Sequence, residues 1–343
     1  MELSHKQIES LKEMLAQPRL RIVILSHTNP DGDAVGSSLA WAEVLRARGH
    51  EVTCVVPNKY PYFLDWMPGI EEVVVFKTDT EGRAVKAIAE ADVLFCLDFN
   101  AVSRLEILSE TIQGNTTARR VLIDHHLQPD EGFDIVFSHP ESSSTCFLVY
   151  CLVEAMYGTG AITRRMGELL YVGMMTDTGN FAFSHLTPEL FRAVAVLLEK
   201  GISIPEIHNS VYNAYTEGRA RLFGYAINRK MALIEDGTVA YMSLLESEMR
   251  RFQFQQGDSE GFVNYALTIK KVKMSAMFLA HRKFIRISLR SRGNVDVNLF
   301  ARKYFDGGGH KNAAGGKSFL SMEETIDHYI RSVREFAEEG HLG

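Results

Sequence analysis

The chain is poor in residues that cross-link a protein or anchor it. Among 343 residues there are four cysteines, two tryptophans and nine prolines. No segment approaches the ~20 apolar residues that cross a bilayer, so no membrane partner is expected. Cys54, Cys96, Cys146 and Cys151 sit in apolar stretches without CxxC spacing, which makes them buried free thiols rather than disulfides or zinc ligands. The opening MELSHKQIES carries charge where a signal peptide needs an apolar core, and a cytoplasmic protein is the expectation. Internal repeats and low-complexity segments are also missing. So is a cationic excess: the net charge of −6 argues against binding long duplex or coating long single strands.

What is present is an ordinary globular composition, 46% hydrophobic and 23% charged, at a length that suits two domains. Short apolar runs at 20–26, 51–56, 73–75, 93–97 and 121–123 alternate with helix-period segments near 4–18, 34–48, 82–90 and 102–112. Continuous apolar runs separated by helices predict a doubly wound α/β domain with a parallel sheet buried on both faces. From about 145 to 230 the pattern is mostly helical, with breaks at 158–160, 179 and 201–203. After 232 it becomes strand-rich, with runs at 272–280 and 284–290, a helix near 245–252, and an amphipathic helix after Ser321. The expected organisation is a metal-binding catalytic domain over 1–200, a helical linker over 201–231 and a smaller α/β substrate-binding domain over 232–343. Charge is uneven across it. Residues 270–317 hold twelve Lys and Arg against Asp296 and Asp306, and this basic stretch contains the glycine-rich segment at 307–309.

The chemistry starts at residues 27–38, HTNPDGDAVGSS, directly after the first apolar run. Turn formation and helix capping explain Asn29-Pro30-Asp31-Gly32 and Asp33 but leave His27 unexplained. Acids and histidines recur after other predicted strands, as Asp98 and as Asp124-His125-His126, and open α/β sheets bind ligands outside the carboxyl ends of their strands. Asp177, in MTDTGN, ends an apolar helix and is inferred to reach the same edge. Converging carboxylates repel one another unless cations neutralise them. Asp31, Asp33, Asp98 and Asp177 balance two divalent ions. Oxygen and imidazole ligation without thiolate suits Mn²⁺, with Mg²⁺ and Co²⁺ as alternatives and zinc disfavoured. Two such ions ~3.5–4 Å apart serve hydrolysis at phosphorus best.

HTNPDGDAVGS, the Asp98 strand end, Asp124-His125-His126 and TDTG together resemble the four motifs of the DHH phosphoesterase superfamily. GGGHKNAAG at 307–315 resembles its DHHA1 substrate-binding domain. Size and motif wording are similar to the nano-RNase/pAp phosphatase subfamily. The resemblance implies metal-dependent hydrolysis of short oligonucleotides, 3′-phosphoadenosine 5′-phosphate, or both, by a water activated between two ions. It implies that His27 and Asp31 bind one ion, that Asp33, His125 and Asp177 bind the other, and that Asp98 bridges them. Asp124 would orient His125, and His126 would face the substrate phosphate as electrostatic stabiliser or proton donor. Arg290, Ser291, Arg292, Gly307, Gly308, Gly309 and His310 would contact substrate phosphate. Asp306 departs from the pattern, since relatives carry a fourth glycine there, and a carboxylate pointing inward would repel an anion. Expected partners are short RNA or DNA oligonucleotides or phosphorylated nucleotides, with a homodimer left open.

The alternatives differ in substrate or class. Cyclic or linear dinucleotide turnover would use the same residues. A RecJ-like single-strand exonuclease needs an added domain and a stacking platform for which the chain shows no spare length. Pyrophosphate or polyphosphate hydrolysis would leave GGGH and RSRG without a purpose. A non-catalytic nucleotide sensor would not retain all six ligands.

Overall fold

Each short apolar run of the N-terminal half is bounded by turn residues, too short for a stable helix, and forms a strand. In the computed structural model, which describes residues 3–183 and 185–342, these are β1 (Arg21–Leu25), β2 (Glu51–Val56), β3 (Val74–Val75), β4 (Val93–Leu97), β5 (Arg119–Asp124) and β6 (Ile135–Ser138). They pair in the order β3-β2-β1-β4-β5-β6, every pair parallel. The expected doubly wound parallel sheet is therefore observed. Its sixth strand went unread because Ile135-Val136-Phe137 is short and only every other residue is buried. Strand order reverses between β1 and β4, and that reversal opens a crevice at their carboxyl ends.

The helices of this unit are α1 (His5–Leu15), α2 (Gly32–Arg46), α3 (Arg83–Glu90), α4 (Ser109–Gly114), α5 (Thr145–Tyr157), α6 (Arg164–Asp177), α7 (Pro188–Glu199) and α8 (Ile204–Tyr212). The most enclosed is α2, whose first eleven residues are all buried. Such enclosure needs close backbone approach. A Cβ on Gly36 would lie 2.5 Å from the Leu169 carbonyl oxygen of α6, and one on Gly173 would lie 2.2 Å from Cys146 Sγ and 2.5 Å from Asp33 Oδ1. Glycine at these positions lets α2, α5 and α6 bring their ends together at the crevice.

The second unit holds α9 (Glu217–Tyr225), β7 (Ala232–Ile234), β8 (Val239–Leu244), α10 (Glu246–Arg251), α11 (Phe262–Tyr265), β9 (Met274–His281), β10 (Phe284–Ser291), α12 (Val297–Tyr304), β11 (Gly308–His310), β12 (Ala313–Ser318) and α13 (Met322–Glu338). Its sheet runs β11-β12-β10-β9-β8-β7, antiparallel except for β8 with β9. Alternation along β9 builds two cores. Met274, Ala276 and Phe278 join Phe300, Tyr329 and Phe336, while Met277 and Leu279 join Leu222 and Phe262.

The two units divide at Ala214 and Tyr215, inside the segment 201–231 expected as a linker. The reason lies in the amphipathic helices themselves. The stripe of α8 buries Ile207 and Val211 in the first unit, whereas α9 buries Leu222 in the second. Among the described residues no helix is long and apolar enough to cross a membrane.

Gly36→Ala should force the α2 and α6 backbones apart. Overpacking of ~1–3 kcal/mol is expected, and each kcal/mol lowers Tm by about 2–4 °C in a unit of this size. Gly114→Ala, where an added Cβ meets nothing within 4 Å, is the control and should leave Tm unmoved. Equal melting of the two variants by circular dichroism would show that the close approach is not required.

Candidate metal centre

Three loops at the carboxyl ends of β1, β4 and β5 and the ends of three helices converge in the first unit. His27 follows β1. It donates from Nδ1 to the Thr28 carbonyl at 2.9 Å, which leaves Nε2 facing Asp98 Oδ2 at 3.4 Å. Asp98 follows β4 with φ of +64°, a left-handed conformation that side chains rarely adopt. Its other oxygen, Oδ1, accepts from Thr145 Oγ1 at 3.0 Å and lies 3.5 Å from His125 Nε2. One carboxylate thus addresses a different histidine with each oxygen.

His125 is anchored from behind, donating from Nδ1 to the Ser142 carbonyl at 3.2 Å. Its Nε2 sits among three carboxylates from three elements: Asp177 Oδ2 at 3.2 Å, Asp98 Oδ1 at 3.5 Å and Asp33 Oδ2 at 3.8 Å. Asp33, fully buried on α2, accepts from the first main-chain amides of α5, Thr145 N at 2.6 Å and Cys146 N at 2.8 Å, one on each oxygen. Those amides form a helix N-terminus, the natural seat of a negative charge. Asp31 caps α2, its Oδ1 accepting from Asp33 N and Ala34 N. Ligand atoms of His27, Asp31 and Asp98 lie within 4.8 Å of one another, and so do those of Asp33, His125 and Asp177.

Electrostatics shows what this clustering lacks. Burial, and then the charges of Asp98 and Asp177, push Asp33 well above the ordinary carboxylate range. Burial lifts Asp177 to about 7 even against the pull of His125. Burial would lower His125, but its bond to Asp98 and the charges of Asp177 and Asp33 outweigh that and hold it well above the usual histidine value. Asp98 is held low against its burial by bonds from His125 and His27. Without cations the cluster favours protons on Asp33, Asp177 and His125. Divalent cations neutralise the same charge, and oxygen and imidazole donors in two sets, each with one histidine and at least two carboxylates, fit two of them. Cys146 is no competitor. Burial and the Asp33 charge push its thiol far above its ordinary value.

One expected role is corrected. Asp124 orients His126 rather than His125, with Oδ1 accepting from His126 Nδ1 at 2.7 Å and Oδ2 from His126 N at 3.0 Å. The chain folds back over two residues after β5, and that turn sends the His125 ring the other way, to Ser142. Because a carboxylate only accepts, Nδ1 of His126 carries the proton. Burial, with the charge of Arg104, lowers the pKa of this ring. Sequence reasoning missed Thr145, Ser142 and the α5 amides. Their signal was the run Ser142-Ser143-Ser144-Thr145 ahead of an apolar helix, where Ser144 accepts from Phe147 N at 3.0 Å as the cap.

In the second unit the expected substrate residues are partly engaged by their own main chain. Ser291, buried, donates to the Val295 carbonyl at 2.6 Å and accepts from Asn312 Nδ2 at 2.8 Å. Arg292 Nη2 donates to the carbonyls of Ile269 and Lys270, and Arg290 Nη1 to that of Leu289. Gly307 and Gly309 are dictated by the sheet, since a Cβ would lie 2.0 Å from the Gly315 oxygen and 2.4 Å from the Ala313 oxygen; Gly308 meets nothing closer than 3.6 Å. Asp306 has φ of +46°, so it occupies a glycine-like conformation that aspartate tolerates.

Comparison with known proteins agrees with this geometry. The DHH family N-terminal domain matches residues 21–174 and the DHHA1 domain matches residues 236–339. The bifunctional oligoribonuclease and PAP phosphatase NrnA of Thermus thermophilus is 27% identical over 339 residues, covering 96% of this chain and 94% of that protein. The cyclic-di-AMP phosphodiesterase GdpP of Bacillus subtilis is 25% identical over 347 residues, covering 96% of this chain and 50% of GdpP. The crystal structure of an exopolyphosphatase-related protein from Bacteroides fragilis superposes with a TM-score of 0.90 at 39% identity, covering 97% of each chain. On sequence, fold and motif order alike, the chain belongs to the DHH family and joins that family's N-terminal domain to a DHHA1 domain.

Proposed function

We propose that the protein is a manganese-dependent phosphoesterase that hydrolyses short oligonucleotides and 3′-phosphoadenosine 5′-phosphate in the cytoplasm. The observation that carries the reading is the sharing of Asp98: its Oδ2 faces His27 at 3.4 Å while its Oδ1 faces His125 at 3.5 Å, inside a cluster too negative to stand alone. Near full-length similarity to an oligoribonuclease and PAP phosphatase supports the substrate class. Mg²⁺ and Co²⁺ suit the same donors.

His27, Asp31 and Asp98 would hold one ion, and Asp33, His125, Asp177 and again Asp98 the other. Divalent ions bound there would make water a nucleophile near neutral pH and neutralise charge on the phosphate oxygens. The chain's own work is positional. Thr145 and the α5 amides hold Asp98 and Asp33, and the Ser142 carbonyl turns Nε2 of His125 inward. In hydrolysis a water oxygen would form a bond to phosphorus and lose a proton while the ester P–O bond breaks. His126, whose Nδ1 is committed to Asp124, would take that proton at Nε2 and pass it to the leaving oxygen. Arg290, Arg292, Gly308 and His310 of the DHHA1 unit supply substrate-phosphate contacts, with Arg292 already oriented by its two carbonyl partners.

The direct test is turnover by purified protein with Mn²⁺ of 3′-phosphoadenosine 5′-phosphate, RNA of two, five and twenty-four nucleotides, cyclic di-AMP and pyrophosphate. The bisphosphorylated nucleoside and the dinucleotide should be the best substrates; preference for the longest RNA, or for pyrophosphate, would overturn the reading.

Asp98→Ala should abolish turnover and cut bound metal, measured by elemental analysis, while far-ultraviolet circular dichroism stays unchanged. Excess chelator should do the same to wild type. Activity surviving either treatment would refute the shared-ligand assignment. The adjacent histidines should part company: His125→Ala loses metal, whereas His126→Ala keeps it and loses about 10²–10⁴ in kcat, the range for a proton-transfer residue. Equal metal loss in both would show that His126 is a ligand.

A further inference from the structure

The turn that follows Asp177 is strained in a way the ligand set does not require. Gly179, Asn180 and Phe181 all have left-handed φ, +56°, +60° and +59°. Glycine and asparagine accept this conformation, but phenylalanine does not adopt it without cost, and such strain persists only where surroundings enforce it. Here they do. Asn180 N donates to the Met175 carbonyl at 2.7 Å, and Phe181 N to Thr178 Oγ1 at 3.0 Å. Ala182 N and Phe183 N both reach the Thr178 carbonyl, at 3.0 and 2.8 Å. Thr178 is fully buried and bonded through its hydroxyl to the Met174 carbonyl at 2.6 Å. The main chain of Phe183 is thereby tied to the residue next to Asp177.

The two aromatic rings of the turn have opposite fates. Phe181 packs between Tyr171 and Phe191, with centroids 5.8 and 5.7 Å away. Phe183 remains 55% exposed. Its ring lies so close over Gly179 that a Cβ there would fall 2.2 and 2.3 Å from two of its carbons. The packing thus leaves this large apolar ring exposed on the turn that follows Asp177.

We propose that Phe183 is a platform on which the nucleobase next to the attacked phosphate stacks. The proposal rests on the phosphoesterase reading above and deepens it. The occupant is a purine or pyrimidine ring, since every base has a π-face and stacking reads no hydrogen-bonding edge. A platform fixed through Thr178 to a candidate metal-binding carboxylate would set the distance from base to phosphate. It would thereby favour nucleotides over simple phosphates.

The test compares wild type, Phe183→Ala, Phe183→Leu and Phe183→Trp on an adenine dinucleotide and on its analogue lacking the base beside the scissile phosphate. Wild type should prefer the base-bearing substrate. Phe183→Ala and Phe183→Leu should raise KM for it by roughly five- to a hundredfold, the span of base–aromatic stacking. They should leave the abasic analogue and the metal content unchanged, and Phe183→Trp should retain the preference. If wild type cleaves both substrates but the variants affect both alike, or neither, the platform is overturned while the phosphoesterase reading stands. If wild type cleaves neither substrate, the phosphoesterase reading falls and the platform with it.

Discussion

Burial of like charge is the constraint around which the first unit is built. Asp33 and Asp98 are out of solvent, Asp177 is partly so, and all three stand within 3.8 Å of one imidazole nitrogen of His125. Such a group is tolerable only with compensating positive charge or protons. The rest of the unit supplies partial charge of the right sign. The α5 amides bond both oxygens of Asp33, Thr145 bonds Asp98, and the amides at the start of α2 bond Asp31. These dipoles hold the carboxylates in place without cancelling their charge, so cations complete the balance. The need for cations follows from the packing.

That packing in turn explains the glycines of α2 and α6. A helix buried along nearly its whole length must approach its neighbours at backbone distance, and Gly36 and Gly173 make this approach where larger residues would meet a carbonyl or Asp33 itself. Gly173, which helps close the core, also lies directly against the candidate ligand Asp33.

How much was legible in the sequence follows from the range of each interaction. The parallel sheet could be read because a strand buried on both faces writes itself as an unbroken apolar run. β6, with alternate residues half-buried, did not. The candidate metal ligands could be listed because most of them sit on motifs at strand ends, but the pairing of Asp124 with His126 could not be chosen over His125. The two rings differ by one residue, and the turn after β5 decides which faces back. The α5 amides on Asp33 join residues more than a hundred positions apart, and no local pattern encodes that. The division at Ala214 falls inside the segment read as a linker. Two amphipathic helices in succession look like a linker until each apolar stripe is assigned a core.

The glycine-rich segment carries the complementary lesson. Glycines beside a histidine invite the reading that backbone approaches phosphate, yet Gly307 and Gly309 are already required by β12, which passes too close for any Cβ. Gly308 alone is open. Asp306 takes the left-handed position that a fourth glycine would fill, so its presence reflects backbone conformation and needs no charge on the substrate to explain it. The recurrence of left-handed residues at Asn29, Asp98, Asn180 and Phe181 has a different meaning, because these flank the candidate ligands His27 and Asp177 or are themselves one. The left-handed backbone at Asp306 precedes the edge strand β11, whereas at Asp98 it accompanies a carboxylate whose two oxygens meet different histidines. A conformational cost repeated around one charged cluster is the physical mark of a site held in place by its scaffold.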